Sequence, residues 1–247
     1  MKHAVLITGG ARRLGAAMAR AISAAGYPIV IHANASAPEA EALAAELGNA
    51  HVVLGDLADP ATPARLIEQA IAKAGPLYGL INSASRFEFD TPHTVTAAHI
   101  TAHIGPNLTA PILLMQHFAA AQTLDTGVII NMLDQKLSNL NPDFFAYTLT
   151  KAALAAATEM AAMAFAPRLR VCGIAPGISL PGPKQTAQKF EASWRANPLQ
   201  RGSAPEDIAG AALFILKTPS ITGTTITVDG GEHLMHRARD VAFLAQK

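Results

Sequence analysis

A tyrosine and a lysine four residues apart are the pair in this sequence best suited to proton transfer. Tyr147 and Lys151 fall in an alanine-rich stretch of helical pattern, so their spacing places both side chains on one helix face. A cation beside a phenol stabilises the phenolate and lowers the pKa of the tyrosine, which suits it to proton donation near neutral pH. An exposed tyrosine beside a solvated lysine is the alternative interpretation.

Two further polar residues extend this pair. Asp134 follows an apolar run, thirteen residues before Tyr147, and could share a proton with the phenol or orient a substrate nitrogen. Asn107 lies inside a predicted apolar helix, where its amide could hold a water or the backbone in a proton path. A solvated loop carboxylate and a buried structural asparagine are the alternative interpretations of these two residues.

A glycine-rich turn follows the first predicted strand. Residues 8–15 read TGGARRLG, and Gly9 and Gly15 permit the backbone to approach a pyrophosphate closely. The helix that follows directs its first N–H groups at such an anion. An ordinary tight turn is the alternative.

The end of the second predicted strand indicates which dinucleotide is bound. Residues 31–37 lack the acidic residue that usually binds a free ribose 2′-hydroxyl. Arg12, Asn34 and Ser36 are instead candidates to receive a 2′-phosphate, which favours NADP(H) over NAD(H). Asp56, after the third strand, is a candidate acceptor for the adenine amino group or a simple turn aspartate.

Short apolar runs that alternate with longer helical patterns must position these residues. Strands are predicted over residues 3–8, 28–32, 51–54, 77–82, 127–132, 169–174 and 224–228. Helices are predicted over residues 14–25, 38–47, 60–74, 96–122, 146–166 and 205–216. This alternation is typical of an α/β, Rossmann-like, doubly wound parallel sheet in three layers. Residues 178–200 are expected to form a substrate lid, with a plain surface loop as the alternative.

Composition excludes several other classes of protein. The 247 residues are 50% hydrophobic and carry a formal charge of +1, so a large core forms without general attraction to nucleic acid or anionic lipid. One cysteine, Cys172, excludes an internal disulfide and a multi-cysteine zinc module, and the histidines show no metal-site spacing. Apolar runs are too short for a signal peptide or membrane span, so we expect a cytoplasmic protein.

In their order along the chain, these motifs resemble the short-chain dehydrogenase/reductase family. The matching landmarks are Thr8-Gly9-Gly10 with Gly15, Asp56-Leu57, Asn82-Ser83-Ala84-Ser85, Asn107, Tyr147 with Lys151, Pro176-Gly177 and Val228-Asp229-Gly230-Gly231. The resemblance implies one domain over residues 1–247, hydride transfer from a nicotinamide, and a tyrosine acid assisted by lysine. It also implies a larger set of cofactor-binding residues: Arg13, Leu14, Leu57, Asn82, Ser83, Ala84, Ser85, Tyr147, Lys151, Pro176, Gly177 and Ser179.

Two departures from the family pattern are similar to the pteridine reductases, a subgroup that includes dihydromonapterin reductases. Asp134 stands where most members have a catalytic serine, and Arg13 stands where most have a glycine. By this resemblance Ser85 contacts the substrate or a cofactor phosphate, while Phe87 stacks on the pterin ring. Arg13 holds the polar edge of the pterin, and Phe190 occupies the place of an aromatic lid residue. A buried hydrophobe is the alternative for Phe87.

The leading hypothesis is therefore NADPH-dependent reduction of a dihydropterin, with Tyr147, Asp134 and Lys151 handling the proton. A carboxylate accepts hydrogen bonds from ring N–H groups, whereas a ketone oxyanion needs donors. The alternatives are an NADPH-dependent reductase of ketones, quinones or acyl thioesters, and a non-enzymatic NADP-binding sensor. The expected partners are a small-molecule substrate and further copies of the chain, in a homodimer or homotetramer through the predicted helix over 146–166. Nucleic acid, membrane and metal are not expected.

Overall fold

A seven-stranded parallel sheet forms the centre of the computed structural model, which describes residues 2–182 and 185–243. The strands are β1 (Ala4–Ile7), β2 (Ile29–Ala33), β3 (Ala50–Leu54), β4 (Leu77–Asn82), β5 (Gly127–Met132), β6 (Leu169–Pro176) and β7 (Thr225–Val228). Their order is β3-β2-β1-β4-β5-β6-β7, so the direction of winding reverses between β1 and β4. In such sheets ligands bind at the carboxyl edge beside this reversal.

Helices cover both faces of the sheet. They are α1 (Arg13–Ala24), α2 (Ala37–Leu47), α3 (Thr62–Ala74), α4 (Ala97–Ile104), α5 (Ala110–Ala120), α6 (Phe145–Phe165), α7 (Ala187–Arg195) and α8 (Pro205–Lys217). One apolar core joins α1, α2 and α8 to the sheet, and a second joins α3, α5 and α6 to its other face. The predicted three-layer, doubly wound fold is confirmed. Within the described ranges, every helix is too short or too polar to cross a membrane.

The prediction of one continuous helix over residues 96–122 is wrong. A π-helical turn, Gly105–Thr109, separates α4 from α5. Pro106 has no N–H to donate, so the regular α-helical ladder cannot continue unchanged through this segment. The wider turn carries Asn107 into the protein, where its side chain is fully buried.

The predicted lid and domain limits include residues that lie outside the described part of the chain. These are residues 183–184 within the lid, and residues 1 and 244–247 at the two ends. The rest of the lid contains α7, which agrees with the polar helical pattern in that segment.

A buried amide fixes α6 on the sheet. Asn131 of β5 accepts a hydrogen bond from Asn82 Nδ2 of β4 at 2.8 Å and donates to Thr158 Oγ1 of α6 at 2.9 Å. Asn131 is completely buried, so its amide depends on Asn82 and Thr158 for hydrogen-bond partners. The contact fixes the helix that carries Tyr147 relative to the strand that leads to Asp134.

We predict that Asn131→Ala lowers the free energy of unfolding by about 2–4 kcal/mol, because it leaves Asn82 and Thr158 without their partner and opens a small cavity. Urea denaturation measures the change. The matched control is Asn49→Ala, at an exposed position, which we expect to alter stability by less than about 0.5 kcal/mol. Equal stability changes in the two variants would contradict the assigned role.

Candidate active site

The Tyr147 hydroxyl donates a hydrogen bond to Asp134 Oδ2 at 2.7 Å. Tyr147 lies in the first turn of α6, and Asp134 follows the carboxyl end of β5. The other carboxylate oxygen, Oδ1, accepts from the Lys136 amide at 2.8 Å, so the side chain is held from two directions. The structure therefore brings together the two residues that spacing alone had linked.

Lys151 completes the group on the next turn of α6. Its ammonium donates to the Met132 carbonyl at 2.7 Å and lies 5.6 Å from the centre of the Tyr147 ring. Burial lowers the pKa of Lys151 to about 8, and the charge of Asp134 partly opposes this shift. A lysine with this pKa can change its charge close to neutral pH.

The expectation that Lys151 lowers the pKa of the phenol is wrong for this structure. Burial raises the pKa of Tyr147 well above its usual value, and the neighbouring Asp134 carboxylate raises it further. Burial also raises the pKa of Asp134, against hydrogen bonds from Lys136 and Tyr147 that lower it. The phenol is consequently held as a proton donor, with its proton directed at the carboxylate.

Asn107 positions the loop after β4. Its Oδ1 accepts from the Arg86 amide at 2.7 Å, and its Nδ2 donates to the Arg86 carbonyl at 2.9 Å and to Thr150 Oγ1 at 3.2 Å. The Asn107 amide therefore holds the Arg86 backbone and the Thr150 hydroxyl in place. Its predicted part in a proton path stays a prediction.

An aromatic wall stands beside the Tyr147 phenol. The Phe87 ring meets Tyr147 edge-on at 4.7 Å between centroids and stacks on Phe144 at 4.2 Å. Phe87 is 56% exposed, so it is not a buried hydrophobe and a ligand can reach its ring. Phe89 and Phe243 extend the wall around Phe144. Sequence reasoning missed Phe144, which no motif distinguishes.

The C-terminal segment packs against the site of its own chain. Lys136 donates to Asp240 at 3.0 Å, and Arg239 pairs with the buried Asp143 at 2.8 Å. These two contacts place residues 239–243 beside the loop that follows Asp134. Neither charged pair was evident from the sequence, because about a hundred residues separate the partners.

The turn after β1 is tight enough to require glycine. Gly9 has φ +61°, and a Cβ there would lie 2.9 Å from the Ala84 Cα; a Cβ on Gly15 would lie 2.2 Å from the Gly9 carbonyl oxygen. No described side chain caps the start of α1, and its first turn, with Arg13 and Leu14, has no acidic residue. These amides fit the pyrophosphate of a dinucleotide.

His32, at the end of β2, supports this turn. Its Nδ1 accepts from the Gly9 amide at 3.2 Å, and its Nε2 lies 3.0 Å from the Gly55 carbonyl. Burial lowers the pKa of His32, so the neutral ring is favoured. Close by, Asp56 Oδ1 accepts a backbone hydrogen bond within its turn, and Leu57 is buried.

The predicted 2′-phosphate residues lie together at the surface beside this turn. Arg12 pairs with Glu39 at 2.7 Å, and both side chains are about half exposed. Asn34 is exposed just beyond β2, and Ser36 directly precedes α2. The half-exposed guanidinium of Arg12 thus keeps further N–H donors for an anionic ligand while it pairs with Glu39.

The segment after β4 is bound to the first turn. The Ser83 and Ala84 amides both donate to Thr8 Oγ1, at 3.0 and 3.1 Å. Ser85 Oγ lies 3.3 Å from Asn107 Oδ1, whereas Asn82 points into the sheet toward Asn131. The backbone here fits a cofactor-binding role better than the Asn82 side chain does.

The base of the lid follows β6, which ends at Pro176. The Gly177 amide bonds to β7, and Ser179 Oγ is occupied by the Gly177 carbonyl and by Ser203. Arg13, with φ +52°, donates to the Pro181 carbonyl at 3.1 Å and so holds the segment after β6, whose role as a substrate lid stays a prediction. Phe190 packs on Trp194 at 5.4 Å, and the structure does not stack it with the aromatic wall.

Comparisons with known proteins agree with this geometry. The family model described as enoyl-(acyl carrier protein) reductase, a short-chain dehydrogenase/reductase model, matches residues 9–233. FolM alternative dihydrofolate reductase 1 of Brucella canis, solved with NADP, is 38% identical with a TM-score of 0.91 and covers 95% of each chain. Pteridine reductase 1 of Leishmania tarentolae is 32% identical over 93% of this chain and 96% of its own.

A relative with another described activity is also similar. The putative ketoacyl reductase 2 of the granaticin polyketide synthase, from Streptomyces violaceoruber, is 28% identical over 93% of this chain and 96% of its own. The resemblance to the pteridine reductases is confirmed among these matches. The chain belongs to the short-chain dehydrogenase/reductase family.

Proposed function

We propose that the protein is an NADPH-dependent reductase that converts dihydropterins to tetrahydropterins. The observation that carries this proposal is the 2.7 Å hydrogen bond from Tyr147 to Asp134, beside the exposed ring of Phe87. A carboxylate there accepts from the ring N–H groups of a pterin, and the flat phenyl face suits stacking. Similarity to a pteridine reductase and to an alternative dihydrofolate reductase supports the same substrate class.

We infer that NADPH is the cofactor. The amides around Gly9 and the uncapped start of α1 fit its pyrophosphate, and Arg12 with Asn34 and Ser36 fits its 2′-phosphate. When bound, NADPH supplies the hydride for the reduction.

In this proposal the chain's own residues manage the substrate and the proton. Phe87 stacks on the pterin, and Asp134 accepts a hydrogen bond from its ring nitrogen. Tyr147 donates the proton from its hydroxyl, and the Lys151 ammonium stabilises the negative charge that remains in the buried site. Arg13, in the glycine-rich turn over residues 8–15 (the phosphate turn), donates a hydrogen bond to the proposed lid. In this proposal it also completes the polar edge of the pocket.

A carbonyl reductase is the second candidate. Burial raises the pKa of Asp134, and a protonated Asp134 would donate a hydrogen bond to a ketone oxyanion. Substrate preference separates this candidate from a pterin reductase. A non-enzymatic sensor is disfavoured because Tyr147, Asp134 and Lys151 form a complete proton-transfer group.

We predict rapid oxidation of NADPH, and slower oxidation of NADH, with dihydropterins in an absorbance assay. Asp134→Asn should lower kcat/KM for dihydropterins by about 100-fold or more, because a neutral amide replaces the carboxylate that holds the Tyr147 hydroxyl and accepts from the pterin ring nitrogen. Arg12→Ala should reduce the preference for NADPH. The exposed Asp125→Asn is the control and should leave kcat/KM unchanged. Rapid use of ketones with none of dihydropterins would rule out the leading proposal.

The pH dependence follows from Lys151. With a pKa of about 8, Lys151 is charged below that pH and neutral above it, so kcat/KM should fall as pH rises through about 8. The Asp134 charge raises the pKa of Lys151, so in Asp134→Asn the residual activity should fall at lower pH. Rate profiles of wild type, Asp134→Asn and Asp125→Asn measure this shift. An identical alkaline limb in all three proteins would contradict it.

We further propose that the protein forms a homodimer or homotetramer through α5 and α6. Ile112, Leu149, Met160 and Met163 leave large apolar surfaces on these helices, with Met163 75% exposed. Light scattering should give a multiple of the chain mass, and Met163→Glu should reduce it, whereas Leu54→Glu on the edge strand should not. A monomeric wild type would contradict the proposal.

We also propose a cytoplasmic location, since a single buried cysteine and use of NADPH suit a reducing compartment. Recovery of the protein from an oxidising compartment in cell fractionation would contradict it.

A further inference from the structure

Asp90 is a buried carboxylate outside the proton-transfer group. It lies between β4 and α4, is 1% exposed, and both of its oxygens stand 3.2 Å from the Ala146 amide nitrogen. Among the described residues, none of the ion pairs includes it. A buried charge is unfavourable unless it is compensated, so the contact with α6 must supply its stabilisation.

The start of α6 lacks any local partner for its first N–H groups. Phe144 precedes the helix in the left-handed region at φ +55°, offers no capping side chain, and the first turn has no acidic residue. The positive end of a 21-residue helix therefore faces Asp90, which lies 56 residues earlier in the chain. The carboxylate caps the helix from a distant loop, one residue before Tyr147.

The loop that contributes Asp90 also contributes the aromatic wall. Phe87 and Phe89 both pack on Phe144, which leads into α6. At the other end of this short segment, Asn107 binds both backbone groups of Arg86. Residues 86–90 are thus held at two points, with Phe87 between them.

We propose that Asp90 is a positioning residue that docks segment 86–90 onto the start of α6. It thereby sets the distance and angle between the Phe87 ring and the Tyr147 hydroxyl. The binding of a pterin between these two groups rests on the proposed pterin reductase function, whereas the docking of segment 86–90 onto α6 does not. His32 holds the Gly9 amide of the glycine-rich turn from β2, so Asp90 acts on the substrate side of the site.

Amide hydrogen exchange tests the docking without any substrate. In Asp90→Ala, and to a smaller extent in Asp90→Asn, the hydrogen-bonded Arg86 amide and the first turn of α6 should exchange faster together, by at least about tenfold. Asp59→Asn is the matched control, because Asp59 accepts the Ala61 amide at the start of α3, away from the site. It should change exchange at α3 alone. Unchanged exchange of the Arg86 amide in both Asp90 variants would overturn the proposal.

Steady-state kinetics then tests the effect on the site. Asp90→Ala should raise KM for a dihydropterin at least ~10-fold, while KM for NADPH changes less than ~2-fold. Because Asp90 acts through Phe87, the KM increases of Asp90→Ala and Phe87→Ala should not multiply in the double variant, whereas Asp59→Asn should leave the KM of wild type and of Phe87→Ala unchanged.

The two proposals fail in different ways. Equal KM changes for both ligands, or fully multiplicative effects with Phe87→Ala, would overturn the positioning role. Absence of dihydropterin turnover in the wild type would overturn the proposed function, and hydrogen exchange would still decide the role of Asp90. If Asp90→Ala does not fold, Asp90→Asn serves both measurements, since it keeps an acceptor oxygen and loses the charge.

Discussion

The hydrogen bond between Tyr147 and Asp134 makes a strict demand on the fold, because its two residues belong to different elements. Asp134 follows β5, and Tyr147 lies in the first turn of α6. The short distance between their side chains requires the strand and the helix to keep a fixed position and orientation relative to each other. The Asn131 amide connects these elements inside the protein, and Lys151 binds the last carbonyl of β5. Polar contacts of this kind are directional, so they fix a geometry that apolar packing alone leaves adjustable.

Burial gives the site its chemical character. The same exclusion of water raises the pKa of Asp134 and Tyr147 and lowers that of Lys151, so all three groups are biased toward their neutral forms. Glu232, which accepts a hydrogen bond from the Ile178 amide, is also biased toward its neutral form, since burial raises its pKa to about 7. Lys151 and Glu232 therefore have pKa values near neutrality, so a modest change in surroundings can move their protons.

The sequence predicted the features that depend on local pattern. Apolar runs located the strands, glycine spacing located the tight turn after β1, and the order of motifs pointed to Tyr147, Lys151 and Asp134, which the structure brings together. It did not predict Phe144 or Asp90, because their roles depend on contacts between segments far apart in the chain. The single helix expected over residues 96–122 failed for a local reason: Gly105 and Pro106 interrupt an otherwise helical pattern. Phe190 was placed by analogy, and no local rule fixes the direction of a lid side chain.

The Arg12–Glu39 ion pair bears on how binding would respond to ionic strength. An arginine that already has an anionic partner binds a phosphate through its remaining N–H groups, and Glu39 stays close to the incoming negative charge. Repulsion from Glu39 then offsets part of the attraction between Arg12 and the phosphate, and salt weakens both of these exposed interactions. Selectivity between dinucleotides then comes from the geometry of the guanidinium fork, and overall attraction for anions stays low in a chain of nearly zero net charge.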